Sequence, residues 1–261
     1  MTRAGKHAWL QRLRSFRNGL SFNIAARLPL SRGLYREAGC GELQGLTADQ
    51  ARRIARLREK YRVRFEASLS HATSLNNYAY LELLDRAFSQ SGESRPVGGR
   101  HSDVGCASFW YAAALHAFFR PDALTGYEID PYRRYANAHT REDYARGYAA
   151  GLPDTRFRGA DYLAVQEKVD RISCWFPFVS APTVLAWGLP LKLLKPKELF
   201  FRISGNVRTS GAFVMINHGM GEAEIAAALC AAAGLRRRWL WVEPDALLPR
   251  PLPPAISYWQ H

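Results

Sequence analysis

Cysteine is scarce in this chain: four residues in 261, at Cys40, Cys106, Cys174 and Cys230. They lie far apart, form no C-x-x-C pair and join no Cys/His cluster at zinc spacing. That excludes a disulfide framework and a structural metal, and implies a reducing compartment. No apolar run approaches the roughly 18 residues needed to cross a bilayer. No apolar stretch follows the first positive charges, as it would in a secretory signal. The expected location is cytoplasmic, or peripheral to a membrane. Three enzyme signatures are also missing: G-x-G-x-x-G after a strand, G-x-x-x-x-G-K-[S/T], and G-x-S-x-G. Dinucleotide oxidoreductases, P-loop enzymes and elbow-type hydrolases are thereby set aside.

Acid is missing from the first 36 residues, which hold eight Lys or Arg. Residues 1 to 64 carry 15 basic and four acidic residues, a net of +11 out of the chain's +13. The remainder is close to neutral. Such asymmetry implies a polyanionic partner for residues 1–64, an anionic membrane surface, nucleic acid or an acidic protein, with a solvated Arg-rich extension as the plain alternative. An Arg-rich, acid-free start has the character of a mitochondrial presequence, but the basic pattern continues past residue 50. With 48% apolar and 23% charged residues, the chain has enough apolar material for a folded core.

His7 to Phe22 reads as an amphipathic helix, with Trp9, Leu10, Leu13, Phe16 and Leu20 on one face. Thr47 and Gln50 form a capping-box pattern, which starts a second helix with Ile54, Leu57, Tyr61 and Phe65 inward and six Arg around them. A third helix is expected over Ser74 to Phe88, carrying Tyr78 and Tyr80. Ser89 to Gly99 is loop-like and marks a boundary between a basic helical extension or lid, 1–95, and a second domain, 96–261.

From residue 100 short strand-like runs alternate with helical ones. Strands are expected to end near Asp103-Val104 and to cover Leu124–Ile129, Thr155–Arg158, Val169–Phe176, Gly211–Asn217 and Leu235–Val242. Helices are expected at Phe109–Phe119, Tyr132–Ala150, Pro182–Leu194 and Glu222–Ala233, with an extended Pro-rich tail from Pro244. This alternation predicts an α/β doubly wound sheet. Ligands of such sheets bind beyond the carboxyl ends of the strands, at a small turn leading into the first helix. That turn is Asp103-Val104-Gly105-Cys106-Ala107-Ser108, and the next strand ends in Glu128. The third strand end carries Gly159-Ala160-Asp161, and the fourth runs from Asp170 to Phe178.

These residues resemble the class I S-adenosylmethionine-dependent methyltransferases over about residues 100 to 243. Asp103-x-Gly105-x-Ala107 is similar to the family's D/E-x-G-x-G-x-G motif, with Ala107 and Phe109 in place of its second and third glycines. The first strand, His101-Ser102-Asp103-Val104, is more polar than most. The resemblance implies a seven-stranded, Rossmann-like sheet with an N-terminal helical extension, and S-adenosylmethionine as cofactor. Asp103, Gly105 and Ala107 would then bind it, Glu128 would hold its ribose hydroxyls, and Asp161 would contact its adenine amine. Trp175, Phe176 and Phe178 would line the acceptor pocket. His218, at the end of the fifth strand, is the candidate base, its plain reading being a polar loop histidine. The amino-methylation motif [D/N]-P-P-[Y/F] is absent.

Three readings of function remain open at this point. One is a methyltransferase of a small-molecule or lipid acceptor, with the N-terminal helices as lid and surface anchor. Another is an RNA or protein methyltransferase docked by the Arg-rich segment, although few aromatics interleave with its arginines for base stacking. The third is a non-catalytic binding protein that keeps the fold, as the altered glycine motif would suit.

Overall fold

The structure is a computed structural model that describes residues 3–261. The first two residues of the basic segment 1–64 lie outside the described residues. The chain runs α1 (Arg3–Arg27), α2 (Ala48–Tyr61), α3 (His71–Ser91), β1 (Arg100–Val104), α4 (Ala112–Phe119), β2 (Ala123–Glu128), α5 (Arg141–Ala150), β3 (Thr155–Gly159) and β4 (Val169–Trp175). It continues with α6 (Ala181–Ala186), α7 (Pro196–Asn206), β5 (Val207–Asn217), α8 (Gly219–Ala232), β6 (Arg236–Val242) and β7 (Ala255–Gln260). The expected doubly wound sheet is present, seven-stranded in the order β3-β2-β1-β4-β5-β7-β6. β1 to β5 pair in parallel, and β7 runs antiparallel between β5 and β6. The switch in strand order falls between β1 and β4, which makes the region beyond Val104 and Trp175 the place for a ligand crevice in a sheet of this kind.

Period-two alternation assigns the two sheet faces. Val214 and Ile216 of β5 join a core with α2, α3 and α4, while Phe213 and Met215 face α7 and α8. Ile54, Leu57, Tyr61 and Phe65 sit in the first of these cores beside Leu81, Leu115 and Phe118, so α2 and α3 share one hydrophobic core with the sheet. Thr47 and Gln50 make both bonds of the capping box that starts α2.

The arginines in and just after α2 turn to nearby carboxylates. Arg53 makes a two-pronged pair with Glu82, at 2.8 and 2.6 Å. Arg56, Lys60 and the Tyr61 hydroxyl converge on the buried Asp85. Arg58 and Arg64 meet Glu66, which also accepts from Tyr78. A buried carboxylate that serves several donors offsets its desolvation through those bonds.

Several expected bounds move, each for a local reason. The helix expected over Tyr132–Ala150 covers only Arg141–Ala150, because Thr140 and Asp143 form a second capping box that sets its start. The first helix of the sheet region begins at Ala112, since Phe109 has a left-handed backbone. The helical run expected over Pro182–Leu194 is α6 plus a short 3-10 turn, and α7 follows with Pro196 in its first turn. The Pro-rich tail carries β7, whose Ala255 to Trp259 are buried between two strands. β6 forms the sheet edge, and the run Arg236 to Arg238 lies there, where exposed charge discourages strand addition.

Asp85→Ala should lower unfolding free energy by about 2 kcal/mol, the loss being limited because its basic partners are partly exposed and regain water. Asp49→Ala removes only exposed pairs to Arg52 and Arg53 and should leave the denaturation midpoint unchanged. Chemical denaturation of the two variants checks both outcomes.

Candidate functional site

The polar character of β1 has a structural cause. His101, Ser102 and Asp103 are all buried. Asp103 accepts hydrogen bonds from the Tyr111 hydroxyl at 2.7 Å and from Ser173 of β4. His101 Nε2 lies 2.8 Å from the same Ser173 oxygen. Burial pushes the Asp103 carboxyl up to about 7, against the lowering effect of the Ser173 and Tyr111 bonds. Burial also lowers the His101 imidazole well below its ordinary value and so keeps it neutral. Asp103 lies beneath the turn, 0% exposed, and acts on it through Tyr111 and Ser173.

The turn above Asp103 is held by backbone geometry. The N–H groups of Gly105 and Cys106 both donate to the Tyr127 carbonyl, at 2.9 and 3.0 Å. Gly105, Ala107 and Phe109 have φ of 73°, 51° and 56°. All three positions of the family's glycine motif are therefore left-handed, although only one is glycine. The Phe109 ring does not enter the crevice. It is fully buried against Gly126 of β2, where a Cβ would come within 2.9 Å of the ring. Gly105 faces outward, with nothing within 4 Å of where a Cβ would stand.

Glu128 closes the turn from the end of β2. Its carboxylate accepts from the Ala107 N–H at 2.8 Å and the Asp130 N–H at 2.9 Å. Arg141 lies 3.4 Å from Glu128 and 3.5 Å from Asp130, and Arg133 pairs with Asp130 at 2.7 Å. Burial raises the Asp130 carboxyl, against the pull of these two arginines. The segment after α6 leans over this cluster: the Arg141 guanidinium lies 5.4 Å from the Trp187 ring centre, and Arg133 donates to the carbonyls of Trp187 and Gly188. Asp161 stands exposed beyond the end of β3, where its side chain caps the Leu163 N–H at 2.9 Å.

A second group gathers beyond β4 and β5. Trp175 stacks on Tyr111 at 4.5 Å and meets Tyr80 of α3 at 4.2 Å. Its indole N–H is buried and unpartnered among the described residues. Phe176 stacks on His218 at 3.9 Å, and Arg250 lies over both Tyr80 and Phe176. Burial lowers the His218 imidazole, and this outweighs the raising effect of Glu222. Phe178 turns toward Trp187 instead, 6.1 Å away. Asp170 lies at the amino end of β4, far from the crevice, where it accepts from the Arg100 N–H and from Arg208.

The structure thus brings Gly105, Ala107 and Glu128 together and sets Trp175, Phe176 and His218 beside them. Sequence reasoning missed Tyr111, Ser173, Arg141, Trp187 and Arg250. The polar residues on β1 were the signal for Ser173 and Tyr111, since a buried carboxylate must find donors. Arg250 sits in a Pro-rich tail that carries no pattern.

The sequence matches no family model and no curated protein. Among solved structures it is similar to the N-methyltransferase NodS from Bradyrhizobium japonicum WM9 in complex with S-adenosyl-L-homocysteine. That match has 12% identity and a TM-score of 0.50, over 72% of this chain and 87% of that one. A ribosomal protein L11 methylase from Lactobacillus delbrueckii subsp. bulgaricus gives 15% identity and a TM-score of 0.47, over 74% and 80%. An S-adenosylmethionine-dependent methyltransferase from Aquifex aeolicus gives 13% and 0.48, over 67% and 87%. The fold is that of the class I S-adenosylmethionine-dependent methyltransferases. Three residues are compatible with that cofactor: Gly105 offers bare backbone, Asp161 is exposed, and Glu128, 4% exposed, engages three donors of the roughly four its carboxylate can accept.

The raised Asp103 carboxyl gives a pH dependence with a defined sign. Its contribution to stability is full below the unfolded value, near 3.8, and is lost as pH rises through about 7. Asp103→Asn mimics the neutral form and should flatten the fall in thermal midpoint over that range. Equal slopes for variant and wild type in thermal denaturation at several pH values would show that Asp103 ionises freely.

Proposed function

We propose that this chain is an S-adenosylmethionine-dependent methyltransferase of a small-molecule or lipid acceptor. The observation that carries the reading is the turn after β1, left-handed at Gly105, Ala107 and Phe109 and clasped to Glu128 through the Ala107 N–H. When bound, the cofactor would supply a methyl carbon activated for in-line attack.

The chain's own residues have the remaining tasks. Glu128 would hold the ribose hydroxyls and Asp161 the adenine amine. Asp103 is a positioning residue, since it steadies the turn through Tyr111 and Ser173. Trp175, Phe176, Tyr80 and Tyr111 make an aromatic wall that excludes water and orients an apolar acceptor. Arg250 has no carboxylate partner among the described residues and would meet an anionic group on that acceptor. His218, exposed but stacked on Phe176, with its imidazole lowered by partial desolvation and its ring free of hydrogen bonds among the described residues, would take the acceptor's proton.

Isothermal titration with S-adenosylmethionine tests this directly. The wild type should bind, and Glu128→Gln should bind about 10- to 100-fold more weakly while staying folded, the worth of a hydrogen bond to a charged group. A folded wild type that gives no heat would remove the enzymatic reading. Equal affinities would move the ribose away from the end of β2.

A further inference from the structure

The N-terminal helix is docked inside out. The covered side of the helix carries Gln11, Ser15, Asn18, Gly19, Phe22 and Ala25, a mostly polar or small face. The Asn18 amide donates to the carbonyls of Leu185 and Leu189, at 3.3 and 3.1 Å, and Ser15 accepts from the Leu191 N–H at 2.9 Å. The apolar stripe points the other way. Trp9 is 55% exposed, Leu13 51%, Phe16 73%, Leu20 54% and Ile24 48%, all on one side of the helix. Leu28, Leu30 and Leu34 extend the exposed apolar run into the following segment. Single exposed leucines are ordinary, but a contiguous stripe of this length marks an interaction surface.

Charge selects the occupant. Arg12, Arg14, Arg17 and Arg27 lie on α1, are exposed, and have no carboxylate partner among the described residues. No acid occurs before Glu37. The arginines in and just after α2 are different, because Arg53, Arg56, Arg58 and Arg64 are paired with Glu82, Asp85 and Glu66. The unpaired arginines of α1 therefore flank the apolar stripe. A second copy of the chain would bring two acid-free, cationic helices together. A nucleic acid would use the arginines and leave Leu13, Leu20 and Ile24 in water. An anionic lipid surface satisfies both features at once, since the interface receives the apolar side chains and the headgroups receive the arginines.

We infer that α1 is an interfacial helix that docks the protein on an anionic lipid surface, with Trp9, Leu13, Phe16, Leu20 and Ile24 entering the interface. The helix is bolted to the segment Leu185–Leu191, whose Trp187 leans over Arg141 beside Glu128. A docked α1 therefore holds the mouth of the candidate site at the membrane surface. The docking does not depend on methyl transfer.

Vesicle sedimentation of the full chain tests the inference. The protein should pellet with vesicles of equal parts phosphatidylcholine and phosphatidylglycerol, and stay in solution with phosphatidylcholine alone. The double variant Leu13→Ser, Phe16→Ser changes only exposed side chains. It should keep the thermal midpoint and lose about tenfold or more in vesicle partitioning. Arg12→Gln, Arg14→Gln and Arg17→Gln together should lower binding and its salt sensitivity. Equal pelleting of the Leu13/Phe16 variant would overturn the inference. So would wild-type self-association in sedimentation velocity that the same variant abolishes, which would assign the stripe to a second copy. Binding to a single-stranded RNA homopolymer without vesicle binding would overturn it in favour of nucleic acid.

Discussion

The buried carboxylate of Asp103 is the point on which the site depends. It joins three elements that the chain order keeps apart: β1 through its own backbone, β4 through Ser173, and the entry to α4 through Tyr111. Tyr111 in turn stacks on Trp175, so one acid connects the turn after β1 to the aromatic wall after β4. A buried carboxyl is costly unless its partners are in place. The partners here also fix the distance between the two halves of the crevice. The network explains why β1 tolerates His101, Ser102 and Asp103 where a central parallel strand is ordinarily apolar.

The turn above shows how a glycine motif can lose glycines and keep its shape. Left-handed backbone at a residue with a side chain costs about 1 kcal/mol or more. Ala107 and Phe109 carry that cost, and the surroundings offset it. Ala107 is held by its N–H bond to Glu128, and the Phe109 ring is buried in a space that exists because residue 126 has no side chain. Gly105 is the position that faces the crevice, and it alone keeps glycine. The two residues with side chains stand where the turn packs on the protein, and the glycine stands where the space beside it is open.

The sheet was legible because β4 and β5 are largely apolar and short strand-like runs alternate with helical ones, and Glu128 and Asp161 could be placed at strand ends by counting. What sequence could not supply was pairing across distance. Ser173 reads as one polar residue in an apolar strand until β1 lies beside it. Arg250 reads as tail, and Ala255–Gln260 as an extended end, because the slot between β5 and β6 exists only after the other strands have formed. The start of α5 was misplaced for a local reason, since the Thr140–Asp143 capping box competes with the apolar pattern that runs on from Tyr132.

The same distinction governs the charge. By composition, residues 1 to 64 form one basic block. In three dimensions the block divides. α2 spends its arginines on Glu66, Glu82 and Asp85, and so becomes part of the body, with its apolar face in the shared core. α1 spends none of Arg12, Arg14, Arg17 or Arg27 on the body, and turns its apolar side chains outward. Hydrophobic burial would favour the opposite orientation of α1 if water were its only surroundings, because the exposed stripe forfeits the largest favourable term available to a helix. The bonds from Asn18 and Ser15 hold it with the polar face inward instead. A helix fixed in that sense leaves its apolar stripe and its unpaired arginines on one exposed side, the arrangement from which docking on an anionic lipid surface is inferred.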